Sequence, residues 1–283
     1  MRIGIIARQA EVYSTRRLTE TAERRGHSPV VVDPLHWAPG VGVTVRDAEA
    51  LDVAIPRIAT LVLEHSLSVI RDLELRGVPV LNTAASMALA GNKFASLQLL
   101  HAAGLRVPRS CMPRRGEALR EFVEQIGGPP VILKSPRGFG GSKVMRADSA
   151  DTAEALLNVF LDLNECVIVQ EFWGRDPRDV RVLVIDGEPV AAVARQAPIG
   201  DFRANVHVGG SCRAHDASAE ELEAATQAAL VSGLSIAGID LLISEEGVVV
   251  TEVNAAPGLK GLEEATGVDA AERIILAAER RVS

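Results

Sequence analysis

The sequence predicts a parallel α/β domain followed by an α+β region built on mixed sheets. Two observations carry that prediction. Up to about residue 85, short apolar runs alternate with helix-length segments, the pattern of parallel strands with crossover helices. From residue 127 onward, strands come in pairs joined by tight turns, as antiparallel pairing allows. The change of style falls near residues 85–90, so a first domain over 1–88 and a second over 89–283 are expected.

The elements follow in order. RIGIIA reads as a buried strand, and SPVVVDP (28–34) as a second, after a helical stretch ending at Gly26. LDVAIPRI (51–58) is a third strand that stops at Pro56. A helix over about 64–76 ends at Gly77, and VPVLN (78–82) makes a fourth strand. ARQAEVYS, not G-x-G-x-x-G, follows the first strand, so a dinucleotide-binding Rossmann reading fails at its defining loop. One helix is expected over 86–104, closed by Gly104 and Pro108. VILKS and the glycine-rich RGFGGSKV come next, then a helix over 151–163 and the strand CVIVQEF (166–172). VRVLVIDG and EPVAAVARQ form a hairpin about a DG turn. PIGDFRANVHVGGS reads as loop. A helix over 218–233, the strands IAGIDLLI and VVVTEVN about SEEG, and a last helix from about 266 complete the chain.

Composition narrows the function. The 283 residues carry a net charge of -7 and only 3% aromatics, which gives no electrostatic or stacking case for nucleic acid. Cys111, Cys166 and Cys212 match no zinc or disulfide spacing, and no segment approaches membrane-spanning length. A cytoplasmic protein is expected. Of 30 basic residues only Lys93, Lys134, Lys143 and Lys260 are lysines, so each merits inspection.

The chemistry concentrates in TEVNAAPGL (251–259). Glu252 and Asn254 share a face of their strand, because side chains alternate. A three-residue turn Glu245-Glu246-Gly247 sets Asp240 opposite Glu252, with Cβ atoms roughly 4.5–5.5 Å apart. Two carboxylates that close repel unless a hard divalent cation such as Mg²⁺ joins them. Such a cation completes its shell with water and phosphates, which turns attention to phosphate grips. Gly138, Gly140 and Gly141 would let backbone N–H groups approach phosphate oxygens, with Lys134 beside them. G-x-x-x-x-G-K-[ST] is absent. QEFW (170–173) either lines an adenine slot or is a plain strand end. Asp179 either takes ribose hydroxyls or pairs with Arg178 or Arg181. Arg195 and Arg203 either neutralise a γ-phosphate or are surface arginines. Of the histidines only His207 stands out.

Taken in order, these residues resemble the ATP-grasp superfamily: lysine, glycine-rich loop, Q-E-hydrophobic hinge, aspartate, arginines, then D…E-x-N. VYSTRRL (12–18), VDPL (32–35), VAIPRIAT (53–60), GDFRANVH (200–207), EVNAAPGLKG and TGVD (266–269) are similar to the RimK-like branch within it. The resemblance implies a pre-ATP-grasp domain followed by a two-subdomain ATP-grasp fold, with a nucleotide half over about 89–172 and a metal half over about 173–283. By motif, Lys93, Lys134 and the backbone around Gly138 and Gly141 would contact ATP phosphates. Glu171 and Phe172 would meet adenine, and Asp179 the ribose. Arg203, Ala204 and Asn205 would lie by the phosphates, with Arg195 and Arg203 as catalytic charges. Asp240, Glu252 and Asn254 would hold two Mg²⁺ ions, or Mn²⁺ in their place.

The implied activity is a carboxylate–amine ligase working through an acyl phosphate. It would add glutamate or a similar amino acid to the C-terminus of a protein or peptide, and a homo-oligomer is expected. The alternatives are a ligase for an amino-group carrier protein or a cofactor glutamate ligase, and, from another class, a non-catalytic ATP-binding regulatory module. Two motifs depart from the family: RGFGGSKV stands for E-G-T-x-G-I-G-V, adding Arg137 and Lys143, and Val208 stands where an arginine is usual. Ligands of open α/β sheets bind beyond the carboxyl ends of strands. Tyr13, Ser14 and Arg16 after the first strand, and Arg57 at the end of the third, are therefore expected to hold the acceptor's carboxylate.

Overall fold

The structure is a computed structural model that describes residues 1–42, 50–58, 63–138, 144–173, 178–196 and 211–282. Strand β1 (Arg2–Ile6), helix α1 (Tyr13–Arg24), strands β2 (Ser28–Val32) and β3 (Val53–Pro56), and helix α2 (Leu63–Leu75) form the first unit. Its sheet is parallel in the order β2-β1-β3, as the alternating pattern predicts. The expected fourth strand shrinks to one parallel bridge between Ala54 and Val80. Pro79 has no N–H to extend that ladder, and the chain then turns Asn82 away. Its wholly buried amide donates to Ile236 O and Ala255 O (both 2.8 Å) and accepts from Ile236 N (2.9 Å).

The single helix expected over 86–104 is two: α3 (Ala84–Ala90) and α4 (Lys93–Ala102). Asn92 is extended between them, and its side chain accepts from Ala95 N at 3.2 Å. An asparagine in that role starts a helix rather than continuing one. The break places Lys93 in a first turn. Next come β4 (Ser110–Cys111), α5 (Gly116–Gln125), β5 (Val131–Lys134), β6 (Val144–Ala147), α6 (Ala150–Asp162) and β7 (Ile168–Glu171). They build an antiparallel sheet β4-β7-β5-β6 over a core of its own, including Leu119, Leu133, Leu157, Phe160 and Val169.

A second antiparallel sheet has the order β10-β9-β8-β11-β12, from β8 (Arg178–Ile185), β9 (Glu188–Gln196), β10 (Ser211–Ala214), β11 (Ile236–Ser244) and β12 (Gly247–Asn254). Asp186 and Gly187 both have positive φ (49° and 79°), as a two-residue DG hairpin turn requires. Helix α7 (Ala219–Val231), opened by a Ser218–Glu221 capping box, covers one face through Val180, Val182, Ile239 and Leu241. On the other face, Leu183, Ile185 and Ile236 pack with Ile3, Ile5 and Ile55 of the first unit. The last helix, expected from about 266, begins at Ala270, and a short helix not expected from the sequence precedes it. Gly267 (φ 70°) stops α8 (Lys260–Thr266), and Asp269 caps α9 (Ala270–Arg280) through Glu272 N. Ile274 and Ile275 of α9 complete the core begun by β1 and β3.

Candidate active site

The site lies where the second face of the five-stranded sheet leaves that shared core and turns polar. Leu183 is apolar, but Arg181 and Asp179, two and four residues earlier on the same face of β8, are not. Asp179 lies opposite Arg195 on β9, and Arg181 opposite Asp240 on β11. Asp240 lies opposite Glu252, and Gly238 opposite Asn254. One face of four strands thus carries Arg195, Asp179, Arg181, Asp240, Glu252 and Asn254.

Asp240 faces Glu252 as expected, by a different route. The turn holds two residues, since Ser244 pairs with Gly247 rather than Val248. Alone, that would set Thr251 opposite Asp240. A bulge between Val250 and Glu252 leaves Thr251 unpaired and restores the match. Thr251 Oγ1 donates to Asp240 O at 3.1 Å.

Nor are the two acids uncompensated, as the sequence reading supposes. Arg181 grips Asp240 through Nε–Oδ1 and Nη2–Oδ2 (2.6 and 2.8 Å), and Arg195 Nη2 reaches Oδ2 at 3.1 Å. Arg195 also donates to Asp179 Oδ1 (2.8 and 2.5 Å). Lys93 donates to Glu252 Oε1. Burial opposes the Asp240 charge, yet the two arginines hold its pKa at about 2. Asp179, with burial the larger influence despite Arg195, is pushed up. Arg195 loses by burial and gains more from Asp240 and Asp179, which raise it. Asp240 is therefore the ionised acid, and Asp179 the readier to take a proton.

The four-stranded sheet contributes Lys134 from the end of β5. Its Nζ donates to buried Gln170 Oε1 (2.9 Å), and Gln170 Nε2 donates to Ser110 Oγ (2.8 Å). Burial pushes Lys134 down to about 8, with Glu252 and Lys93 acting on it in opposite senses. Lys93 and Lys134 thus sit around Glu252. Lys93 N also donates to Pro136 O (2.9 Å), tying α4 to the segment before Gly138. Arg137 pairs with Glu64 at 2.5 Å.

Other expected residues have protein partners of their own. The Glu171 carboxylate is occupied by Arg109 (N 2.8 Å, Nε 2.6 Å) and Trp173 Nε1 (2.8 Å). Arg146 lies over the Phe172 ring at 4.6 Å. Tyr13 OH donates to Glu263 Oε2 (2.8 Å), Ser14 Oγ accepts from Leu259 N (3.2 Å), and Arg16 pairs with Glu20 (3.6 Å). These three join α1 to the segment about α8 and to its own next turn. Gly140, Gly141, Lys143, Arg203, Ala204, Asn205, His207 and Val208 lie outside the described residues. Arg181 as the partner of Asp240, and Gln170 as the partner of Lys134, were not expected. Both stand inside quoted motifs, and the i, i+2 spacing of Asp179 and Arg181 signals a shared face.

The donor chemistry suits a hard cation and phosphates: two carboxylates and an amide on one patch, with lysines opposite. Asn254 now donates to Gly238 O (3.2 Å) and lies 3.5 Å from Asp240 Oδ2. Among the described residues, no cluster of three or more His, Cys, Asp and Glu side chains could hold a metal ion.

Family comparison agrees over nearly the whole chain. A RimK pre-ATP-grasp domain model matches residues 1–87 and a RimK-like ATP-grasp domain model residues 90–278. A "Probable alpha-L-glutamate ligase" of Teredinibacter turnerae is 38% identical over 97% of this chain and 94% of its own length. A protein of the same name from Methanococcoides burtonii is also 38% identical, with the same coverage. The crystal structure of a RimK domain ATP-grasp protein from Sphaerobacter thermophilus superposes with a TM-score of 0.80 at 24% identity, covering 98% of this chain and 99% of that one. The ATP-grasp ligase PsnB, complexed with a minimal precursor, gives 0.77 at 25% identity, covering 99% and 98%.

Proposed function

The chain belongs to the RimK-like ATP-grasp family, and on that premise we propose that it joins glutamate, or a similar amino acid, to a carboxylate at the end of a peptide or protein. The chain is a carbon–nitrogen ligase. The finer reading rests on one observation above all: Asp240 and Glu252 face each other on one sheet while Lys93 and Lys134 approach from elsewhere. Acids and cations gathered at one point suit phosphoryl transfer, which needs positioning and charge neutralisation more than a protein nucleophile.

In this reading ATP phosphorylates a substrate carboxylate, releasing ADP, and an amine displaces phosphate to leave an amide and a freed proton. Mg²⁺ would be held by Asp240, Glu252 and Asn254 and would screen phosphate charge. Lys134 and Lys93 hold phosphate oxygens, and Lys93 exchanges Glu252 for them. Arg181 and Arg195 keep Asp240 ionised and aimed. Glutamate as the added residue is supported by the names of the relatives, and a peptide acceptor by the precursor bound to PsnB. The test is ADP release from Mg-ATP, scanned across amino acids with peptides bearing free or amidated C-termini. Release that needs both glutamate and a free C-terminus is expected. ATP binding without release under any combination would leave only a regulatory ATP-binding module.

A further inference from the structure

Arg57 directly follows β3. Its backbone N–H donates to Ile6 O (2.8 Å), and its Nη2 donates to Pro257 O (2.5 Å). Nε and Nη1 are shielded from solvent and, among the described residues, have no hydrogen-bond partner. Among the described residues no acid offsets the charge, and burial pushes the guanidinium down to about 10. A guanidinium that remains charged at neutral pH, out of water, with one carbonyl for company is unfavourable. Folds retain such a group where something else supplies the missing acceptor.

Its place says what that is. Pro257 stands three residues beyond Asn254. A Cβ added to Gly238 would lie 2.7 Å from Pro257 Cβ and 3.6 Å from Arg181 Cδ, on the arginine that grips Asp240. Arg57, Pro257, Gly238 and Arg181 therefore run in sequence from the carboxyl edge of the parallel sheet to the acid pair. Tyr13, Ser14 and Arg16 on the same edge already have partners. Of these four, Arg57 is the one whose unpaired donors are buried among the described residues.

We propose that Arg57 is a specificity residue that receives a substrate carboxylate on the first domain's side of the site, through donors the fold leaves unpaired. The inference rests on the ligase reading for the word substrate, and its test does not depend on turnover. Thermal unfolding of the full chain is followed with Mg²⁺ and a non-hydrolysable ATP analogue while L-glutamate, its α-amide or the dipeptide Glu-Glu is titrated. The wild type should be stabilised by a carboxylate probe. In Arg57→Ala the concentration needed should rise about 10- to 100-fold, as expected on losing a hydrogen bond to a charged group, with analogue binding unchanged. Arg57→Lys, which keeps the charge without the planar fork, should show a smaller rise and serves if the alanine variant does not fold. A rise for L-glutamate assigns the carboxylate to the amino acid, and a rise confined to the dipeptide assigns it to the acceptor. Either upholds the proposal. Equal titrations in wild type and both variants overturn it, as does a wild type that no probe stabilises. A wild type that binds glutamate through Arg57 yet never releases ADP would sink the ligase reading and leave this one standing.

Discussion

Asp240 and Glu252 each hold a cation before any ligand arrives, and the two pairs have different fates. The Asp240–arginine grip is bidentate and buried, so it is a fixed part of the site. Glu252 is more open and bonded to a single lysine tip, so it is the exchangeable partner. Glu252→Gln should cut ADP release by about two orders of magnitude or more, while circular dichroism and the melting midpoint stay close to wild type. A loss of fold instead would make Glu252 a structural acid. Lys134 gives a pH signature. Its folded-state pKa near 8 lies below the ordinary 10.5, so the unfolded chain binds more protons between those values, and stability from this group rises with pH across that window. Phosphate oxygens beside it favour the charged form, so ATP binding near pH 8 should draw a proton in. Titration calorimetry in buffers of different ionisation enthalpy reads that uptake, and Lys134→Met should abolish it. Asp240, Glu252 and Asn254 were legible through strand alternation and Lys134 through its place at the end of an apolar run, whereas Lys93 was reached through the family resemblance. The sequence hid Arg181 and Gln170, whose importance lies in partners from other strands.

The elements show why a correct pair can rest on an incorrect turn. Strand alternation and the DG turn are local properties, and both hairpins were readable from them. A bulge is not local: Thr251 is unpaired because the Asp240 face of β11 and the α7-facing valines of β12 must both be satisfied. Nothing in SEEG announces that. The break between α3 and α4 was legible in principle, since Gly91-Asn92 is a stop and a start, but the apolar period runs through it. Gly238 is required for the close approach of Pro257 rather than for its backbone angles. Gly238→Ala pushes a methyl to 2.7 Å from a rigid ring and should cost about 1–3 kcal/mol, read by urea unfolding. Because Pro257 anchors Arg57, the variant should also weaken the glutamate response. Stability within error of wild type would show that the 254–258 segment gives way freely.

For the molecule as a whole, an amide and a set of ion pairs add polar ties to the apolar core that joins the first domain to the rest of the chain. Asn82 offers Ile236 both a donor and an acceptor, as a neighbouring strand would. Asn82→Ala should lose about 3 kcal/mol or more by leaving buried peptide groups unpaired, measured by chemical denaturation. An unchanged midpoint would mean that water replaces the amide. The second tie is ionic: Arg25 and His27 meet Glu279, and Arg17 and Arg24 meet Asp269. Arg25 chiefly holds the Glu279 carboxyl at about 2 against an ordinary 4.5. Its contribution is therefore complete above pH 4.5 and lost as pH falls toward 2, so Glu279→Gln should flatten that part of the acid-unfolding curve. The core shared by β1, β3 and α9 also orders events in time. Ile3 and Ile5 are synthesised long before Ile274 and Ile275, with which they share a core, so on the ribosome the first domain keeps an apolar face open until α9 has emerged. Its folding is bound to long-range closure, which is slow and exposes the nascent chain to aggregation, and chaperone demand should fall on the first domain.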